Sequence, residues 1–402
     1  MSLETSQLPL GFAWSGVRAG IKASGNLDLA LAVAPQGADA AVMFTTNQVV
    51  AAPITVGRRH IAATGGRVKT VLVNAGNANC ASGEAGIRAC NDTCRAAAEA
   101  VDCIFDEVFP SSTGIIGVPL PADKLIAALP AAVAELGTTQ DHAELFATAI
   151  MTTDTRMKIA SATIGDTGAR IFGTAKGAGM IHPQLGPPHA TMLVYLFTDI
   201  AADPDTLRAA LAPAAETTFN SISIDGDTST NDTVLLLASG ASGVALTPAL
   251  RDAFDEALQS VCASLAFQIV DDGEGVTHVV TLEITGARSE DEARQVAKAI
   301  AHSPLNKTAW SSADPNWGRL LAAAGYSGVP FNPEAVTIWI GDQLVFEHGM
   351  RAAQFDKEAA HQAMSAREYT IRIALGQGDS ACSFLTCDLT EEYVRINADY
   401  ST

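Results

Sequence analysis

The sequence predicts a layered α/β fold, and three observations lead there. Of its 402 residues, 48% are hydrophobic, enough for a sizeable buried core. Apolar runs of strand length alternate with alanine-rich stretches of helical spacing. No period of roughly 20 to 50 residues marks a repeat architecture. No Gly/Ser-rich or charge-rich linker cleanly separates domains either, so the two halves are expected to interlock.

In chain order, residues 68–74 read as a buried strand and 85–104 as the helix after it. A strand ends at Val108-Phe109, and Ser111-Ser112-Thr113-Gly114 behind it reads as a tight turn. Helices follow over 121–136 and 141–151, then strands over 158–164 and 191–200. A helix over 204–219, a strand over 233–238 and a long helix over 248–270 come next, both helices opened by proline. A strand over 279–284, a helix over 290–302 with an acidic start, and strands over 336–340 and 369–375 complete the pattern.

The charge balance narrows the function. Against 25 basic residues stand 44 acidic ones, a formal charge of −19, which repels phosphate backbones and anionic lipid. Nucleic acid and membrane surfaces are therefore not expected partners. No apolar run reaches the roughly 18 to 20 residues that span a bilayer, and residues 1–16 lack a basic start with an apolar core, so the expected location is the cytoplasm. The seven cysteines are odd in number and read as reduced thiols. Cys90 and Cys94 stand four apart on a helix, but without a second Cys/His pair they read as core packing rather than a metal site.

The conspicuous punctuation lies mid-chain. Lys176-Gly177-Ala178-Gly179-Met180-Ile181-His182-Pro183 leads through Gly186-Pro187-Pro188-His189 into the apolar run Ala190-Thr191-Met192-Leu193. A turn-rich loop thus delivers a threonine to a strand start. A threonine hydroxyl is a weak nucleophile unless a base takes its proton, and an N-terminal threonine can use its own α-amine. That amine titrates near 7.7 to 8.0, roughly, so part of it is free base at neutral pH. Reaching that state inside a longer chain requires internal cleavage, with the Thr191 hydroxyl attacking the Ala190 carbonyl. From residue chemistry alone, Thr191 reads first as a β-branched residue opening a strand, and only a family resemblance turns it into a nucleophile.

At these positions the sequence resembles the ornithine acetyltransferase family, also called glutamate N-acetyltransferase, whose signature is Lys-Gly-x-Gly-Met-Ile, a short loop, then Ala-Thr-Met-Leu. Further matches run along nearly the whole chain: Gly20-Ile21-Lys22 with Leu27-Asp28-Leu29-Ala30, Phe44-Thr45-Thr46-Asn47, and Asn74-Ala75-Gly76-Asn77-Ala78-Asn79. Ser112-Thr113-Gly114-Ile115-Ile116-Gly117, Met151-Thr152-Thr153-Asp154, Asp225-Gly226-Asp227 through Ser229-Thr230-Asn231-Asp232-Thr233, and Asp314-Pro315-Asn316-Trp317-Gly318-Arg319 extend the resemblance.

The resemblance implies a layered sandwich of the self-processing, N-terminal-nucleophile kind. Cleavage between Ala190 and Thr191 would leave an α piece of residues 1–190 and a β piece of residues 191–402. Thr113 and Gly114 would hold the oxyanion of acyl transfer, which needs preorganised donors. Thr152, Lys176, Thr191, Glu274, Asn397 and Thr402 would bind the amino-acid substrate, with Lys176 and Glu274 answering its opposite charges. The implied reaction is ping-pong: Thr191 takes acetyl from N2-acetylornithine and passes it to glutamate, recycling acetyl groups in arginine biosynthesis. No resident cofactor or metal is implied, although some members also take acetyl from acetyl-coenzyme A, and no motif decides whether this chain does. The family's cleaved protomers form dimers.

Two departures stand out. Residues 186–189 look like an insertion just before the scissile bond, and its two prolines stiffen that approach. The family pattern Glu-Gly-Val-Thr-Lys reads Glu274-Gly275-Val276-Thr277-His278, which removes a permanent charge. A specialised N-acyltransferase, an amidase or aminopeptidase using water as acceptor, and an uncleaved inactive relative therefore stand as rivals. Asp225-Gly226-Asp227 with Asp232 misses the calcium-loop spacing and reads as site wall or structure. His182 and His189 lack the partners of a zinc site, and nucleotide-binding glycine motifs are missing.

Overall fold

In the computed structural model, which describes residues 7–183 and 192–399, the strands gather into two sheets. The first holds β1 (Ala13–Val17), β2 (Leu29–Phe44), β3 (Arg67–Asn77), β4 (Val108–Ile115), β5 (Lys158–Thr163), β6 (Arg170–Lys176), β7 (Leu193–Thr198) and β8 (Thr233–Ala238). Its order is β4-β3-β2-β8-β7-β6-β5, with β1 added antiparallel to β2. The second holds β9 (Val279–Ala287), β10 (Thr337–Ile340), β11 (Gln343–Glu347), β12 (Met350–Arg351), β13 (Glu368–Ala374) and β14 (Ser380–Cys387), ordered β12-β11-β10-β13-β9-β14. The helices are α1 (Ala52–Thr64), α2 (Gly83–Val101), α3 (Ala122–Ala134), α4 (Gln140–Ala149), α5 (Pro204–Thr217), α6 (Arg251–Asp271), α7 (Glu290–Ala301), α8 (Pro304–Ser311), α9 (Trp317–Gly325), α10 (Lys357–Met364) and α11 (Glu391–Asp399). The expected layered α/β class is the class observed. Ala190, Thr191, Thr402 and residues 186–189 lie outside the described residues.

Strand periodicity sorts the core of the first sheet into two layers. Successive side chains face opposite ways, so Val194 and Leu196 of β7 meet Leu207 and Leu211 of α5 and Leu258 and Leu265 of α6. Leu193, Tyr195 and Phe197 face the other layer, where Trp14 packs edge to face on Phe172 and Phe197, Phe146 edge to face on Tyr195 and Phe197, and Phe172 stacks on Phe197. The second sheet is covered on one side by Val296 and Ile300 of α7, Trp310 of α8 and Leu320 of α9. Its strands accordingly alternate buried and partly exposed residues.

Local signals explain the helix starts. Asp203 accepts from the N–H groups of Asp205 and Thr206 ahead of Pro204 at the head of α5. Ser289 accepts from the N–H of Glu292 at 3.2 Å, capping α7. In the Asp314 to Arg319 motif, Asn316 accepts from the N–H of Arg319 at 3.3 Å and caps α9, a structural duty remote from the first sheet's site. Cys90 and Cys94 lie buried between α2 and its neighbours. No helix among the described residues is long and apolar enough to cross a membrane.

One expectation is corrected. Ser111-Ser112-Thr113-Gly114 does not turn; it continues β4, pairing in parallel with β3 from Thr70↔Val108 to Gly76↔Gly114. The β3 partners Val73 to Asn77 carry the ladder through the polar run as far as Ile115.

The sequence order of the strands ties the two halves of the chain together. β7 and β8, which come after residue 191, sit in the middle of a sheet whose other strands all precede it. Segments on either side of that position therefore share one hydrogen-bonded sheet and one core.

Candidate active site

Four strand ends meet around one pocket. Lys176 at the end of β6 pairs with Leu193 at the head of β7, Leu193 pairs with Thr233 at the head of β8, and Lys176 Nζ reaches Thr113 near the end of β4. The pocket is lined by Thr113 and Gly114 from β4, Thr152 from the turn after α4, Lys176 from β6, Glu274 from the turn after α6, and Asn397 from α11. Met192, leading into β7, and Asp232, leading into β8, complete the wall. Six of the sequence-proposed positions thus stand around one cavity although they span residues 113 to 397. Thr191 and Thr402 fall outside the described residues.

The glycine of the Thr113-Gly114 pair is required by space. Its φ is +130°, and a Cβ there would stand 2.3 Å from the carbonyl carbon of Gly76, itself at φ +99°. The two backbones approach at a bulge between β3 and β4. Buried amides fix the surroundings: the Ser112 hydroxyl donates to Asn74 Oδ1 at 2.6 Å, and Asn231 Nδ2 donates to the carbonyls of Ala78 and Ser112 at 2.6 and 2.9 Å. Gly114→Ala is expected to part these strands and lower the melting temperature, because its Cβ would collide with the Gly76 backbone at a positive φ. A wild-type melting temperature would show that the two backbones can yield.

Lys176 and Thr113 form one unit. Lys176 Nζ donates to Thr113 Oγ1 at 3.1 Å, and both are at least nine-tenths buried. Because that oxygen accepts from the ammonium, its own O–H is left to donate into the pocket. Burial pushes the Lys176 amine below the usual lysine range, while Asp154, Glu274 and Asp232 pull the other way. Across the cavity, Asn397 Nδ2 donates to Glu274 Oε2 at 2.8 Å, so the C-terminal helix orients the acid. Gly179 makes room for it: a Cβ there would meet the Glu274 carboxylate oxygens at 2.5 to 2.6 Å.

Three carboxylates shape the pocket from behind. Asp225 accepts from the N–H groups of Met180 and Ile181 at 2.7 and 2.9 Å and from the Tyr393 hydroxyl at 3.1 Å, tying the glycine loop to α11. Asp232 is buried, its carboxyl is pushed well up by burial, and its Oδ2 has no hydrogen-bond partner among the described residues. Both uses agree with the site-wall or structural role read from sequence. Asp154 holds the third place: it receives Lys158 Nζ and the Gly177 N–H on Oδ1, at 2.6 and 2.7 Å, and the Thr152 N–H on Oδ2 at 2.9 Å. Lys158 Nζ also donates to Asp272 at 2.6 Å, and all three members of this ion triad are buried. Sequence reasoning missed Lys158, which looks like an ordinary charge at a strand start.

His278, the departure from the family pattern, does not line the pocket. Its Nδ1 stands 3.3 Å from Asp388 Oδ2, and Asp388 also accepts the Thr277 and His278 backbone N–H groups.

His182 packs edge to face on His302 with ring centroids 4.3 Å apart, joining the glycine loop to the end of α7. Burial, then the neighbouring His302 and Lys298, pushes His182 down to about 3. Burial, with Lys307 and Lys298, takes His302 to about 4. Both rings are neutral in the fold, whereas the unfolded chain binds their protons below roughly pH 6.5. Their contribution is therefore complete above that pH and is lost as pH falls towards 4. Denaturant titrations should show about 1–2 kcal/mol lost per ring between pH 7 and pH 5, with His302→Gln flattening the slope. An unchanged slope would show that the pair does not govern acid stability.

Comparison with known proteins adds the family. Residues 13–402 match the ArgJ family. The arginine biosynthesis bifunctional protein ArgJ of Thermus thermophilus is 46% identical over 98% of this chain and 99% of its own length. Its counterpart from Parasynechococcus marenigrum is 42% identical over 98% and 94%. Among solved structures, ArgJ from Bacillus halodurans is 42% identical, covering 51% of this chain and 98% of that one, with a TM-score of 0.49.

Proposed function

This chain belongs to the ArgJ family, and on that premise we propose that it is a self-processing acyltransferase moving acetyl from N2-acetylornithine to glutamate through Thr191. The observation that carries this reading is the convergence of Thr113, Gly114, Thr152, Lys176, Glu274 and Asn397 on one pocket beside Met192, the neighbour of Thr191. The relatives' name, arginine biosynthesis bifunctional protein, supports the pathway.

In this mechanism the Thr191 hydroxyl first attacks the Ala190 carbonyl; the Ala190–Thr191 amide C–N bond breaks as the ester forms, which frees the α-amine, and water then hydrolyses the ester to release the Thr191 hydroxyl and the Ala190 carboxylate. The two fragments, residues 1–190 and 191–402, stay together because β7 and β8 lie inside the sheet formed by the earlier strands. In the transfer, the α-amine accepts the hydroxyl proton as the oxygen attacks the acetyl carbonyl. The Thr113 hydroxyl and the Gly114 N–H receive the oxyanion. The amide C–N bond then breaks, the proton passes to the departing ornithine amine, and acetyl-Thr191 remains. Glutamate's amine attacks that ester, its proton returns to the threonine oxygen, and N-acetylglutamate leaves.

Lys176 holds the substrate α-carboxylate and Glu274 the ornithine side-chain ammonium, with Thr152, Asn397 and Thr402 setting orientation. The reaction needs no resident cofactor; acetyl-coenzyme A is an alternative acetyl donor, and the working assembly is a dimer of cleaved protomers in the cytoplasm. The test is direct. The purified protein's intact mass under denaturing conditions is expected to give two fragments joining at Ala190 and Thr191, and the protein is expected to form N-acetylglutamate from acetylornithine and glutamate. A single full-length mass with no transfer would refute the reading.

A further inference from the structure

We propose that Asp154 is the positioning carboxylate of this site: it sets the backbone on which Lys176 and Thr152 are carried and supplies the counter-charge that lets Lys176 act as a cation. This rests on the reading that Lys176 meets the substrate carboxylate. Asp154 Oδ1 accepts from the N–H of Gly177, the residue after Lys176, and Oδ2 accepts from the N–H of Thr152. One fully buried carboxylate thereby joins two segments of the pocket, the turn after α4 and the end of β6.

Asp154 is itself clamped. Lys158 Nζ bridges it to Asp272, each at 2.6 Å, and the Thr155 N–H donates to Asp272 Oδ2 at 3.1 Å. Asp272 stands two residues before Glu274, so the same triad also fixes the turn that carries the pocket's acid. A buried ion pair is weak evidence for stability, since desolvation offsets its attraction. The geometry gives the triad a different purpose, because every carboxylate oxygen of Asp154 is spent on a group that borders the pocket or on the clamp.

The electrostatics agree. Burial would raise the Asp154 carboxyl, but Lys176, Lys158 and the Gly177 N–H outweigh it and hold it at about 2. The charged groups that act on Lys176 are Asp154, Glu274 and Asp232, which favour its ammonium, and Lys158 and Lys22, which oppose it. Asp154 is the largest of the favourable influences. Without it, a desolvated amine facing two other lysines would lose its proton at a lower pH and release a carboxylate ligand with it.

The experiment measures Lys176 directly. Competitive trace labelling with deuterated acetic anhydride across pH 6 to 11, read by mass spectrometry on the Lys176 peptide, gives its titration midpoint in the whole protein. Asp154→Asn is expected to lower that midpoint by about one pH unit or more and to raise the KM for the amino-acid substrate about tenfold at alkaline pH, with a smaller change in kcat. Asp272→Asn loosens the clamp but leaves Asp154 charged, and is expected to keep the wild-type midpoint. An unmoved midpoint in Asp154→Asn, or an equal fall in Asp272→Asn, overturns the proposal. If Asp154→Asn does not melt cooperatively, Asp154→Glu decides: the charge stays and the geometry is lost, so an unchanged KM overturns the positioning role and a raised KM with a wild-type midpoint supports it. Labelling does not depend on transfer, so a wild-type protein that moves no acetyl group sinks the proposed function while leaving the result on Asp154 readable.

Discussion

Thr191→Ala is expected to yield a chain that stays whole and transfers nothing. The variant loses the hydroxyl that would attack Ala190, so no α-amine is ever exposed and no acyl ester can form. Both losses arise from one oxygen, which is why no other single change is expected to cost as much. Removing the nucleophile of an acyl-transfer machinery costs on the order of 10⁴- to 10⁶-fold in kcat, leaving what binding and the oxyanion site supply alone. Intact mass should show one species of 402 residues, and N-acetylglutamate formation should fall to background. Thr191→Ser keeps the hydroxyl and is expected to retain cleavage and part of the rate. A whole Thr191→Ala chain with full transfer activity would remove Thr191 as nucleophile.

Lys176→Met is the second large effect. Methionine keeps most of the length and none of the charge, so the substrate carboxylate would enter a pocket whose neighbours Asp154, Glu274 and Asp232 are acidic. Losing a buried charge-assisted contact costs about 3–4 kcal/mol, or roughly 10²- to 10³-fold in kcat/KM. Most of it should appear in KM, because the contact exists before and during reaction. A smaller fall in kcat is expected as well, since Thr113 Oγ1 loses the ammonium that holds it at 3.1 Å. Steady-state kinetics with acetylornithine and glutamate separates the two. A wild-type KM would place the carboxylate elsewhere.

Much of the fold was legible because some elements carry their own signals. Thr233–Ala238 reads as a strand from its unbroken apolar run, and α5 from Asp203-Pro204 ahead of its alanines. β2 was not legible. Its 16 residues are rich in alanine, and Pro35, Gln36 and Gly37 interrupt them. The ladder tolerates that interruption by a register shift between Val33 and Ala38, with Pro35 and Gln36 exposed. Ser111 to Gly114 misled for a related reason: the residues favour turns, but the β3 ladder and the Gly76 approach hold them extended.

What the sequence by itself determined is chemistry attached to local order: the class of fold, the excess of acidic charge, the Thr-Gly pair, the glycine loop and the family pattern around Thr191. These are properties of neighbours along the chain. What only the tertiary structure decided is which groups meet. Lys158 reads as a surface charge because lysine is rarely buried, yet it stands between Asp154 and Asp272, the latter 114 residues away. His278 reads as a substrate charge lost, and in the fold it serves Asp388, 110 residues on. Asn397 reaches Glu274 across 123 residues. Such pairings depend on which strand ends come together, and that is set by the burial of the whole core, which no local pattern encodes.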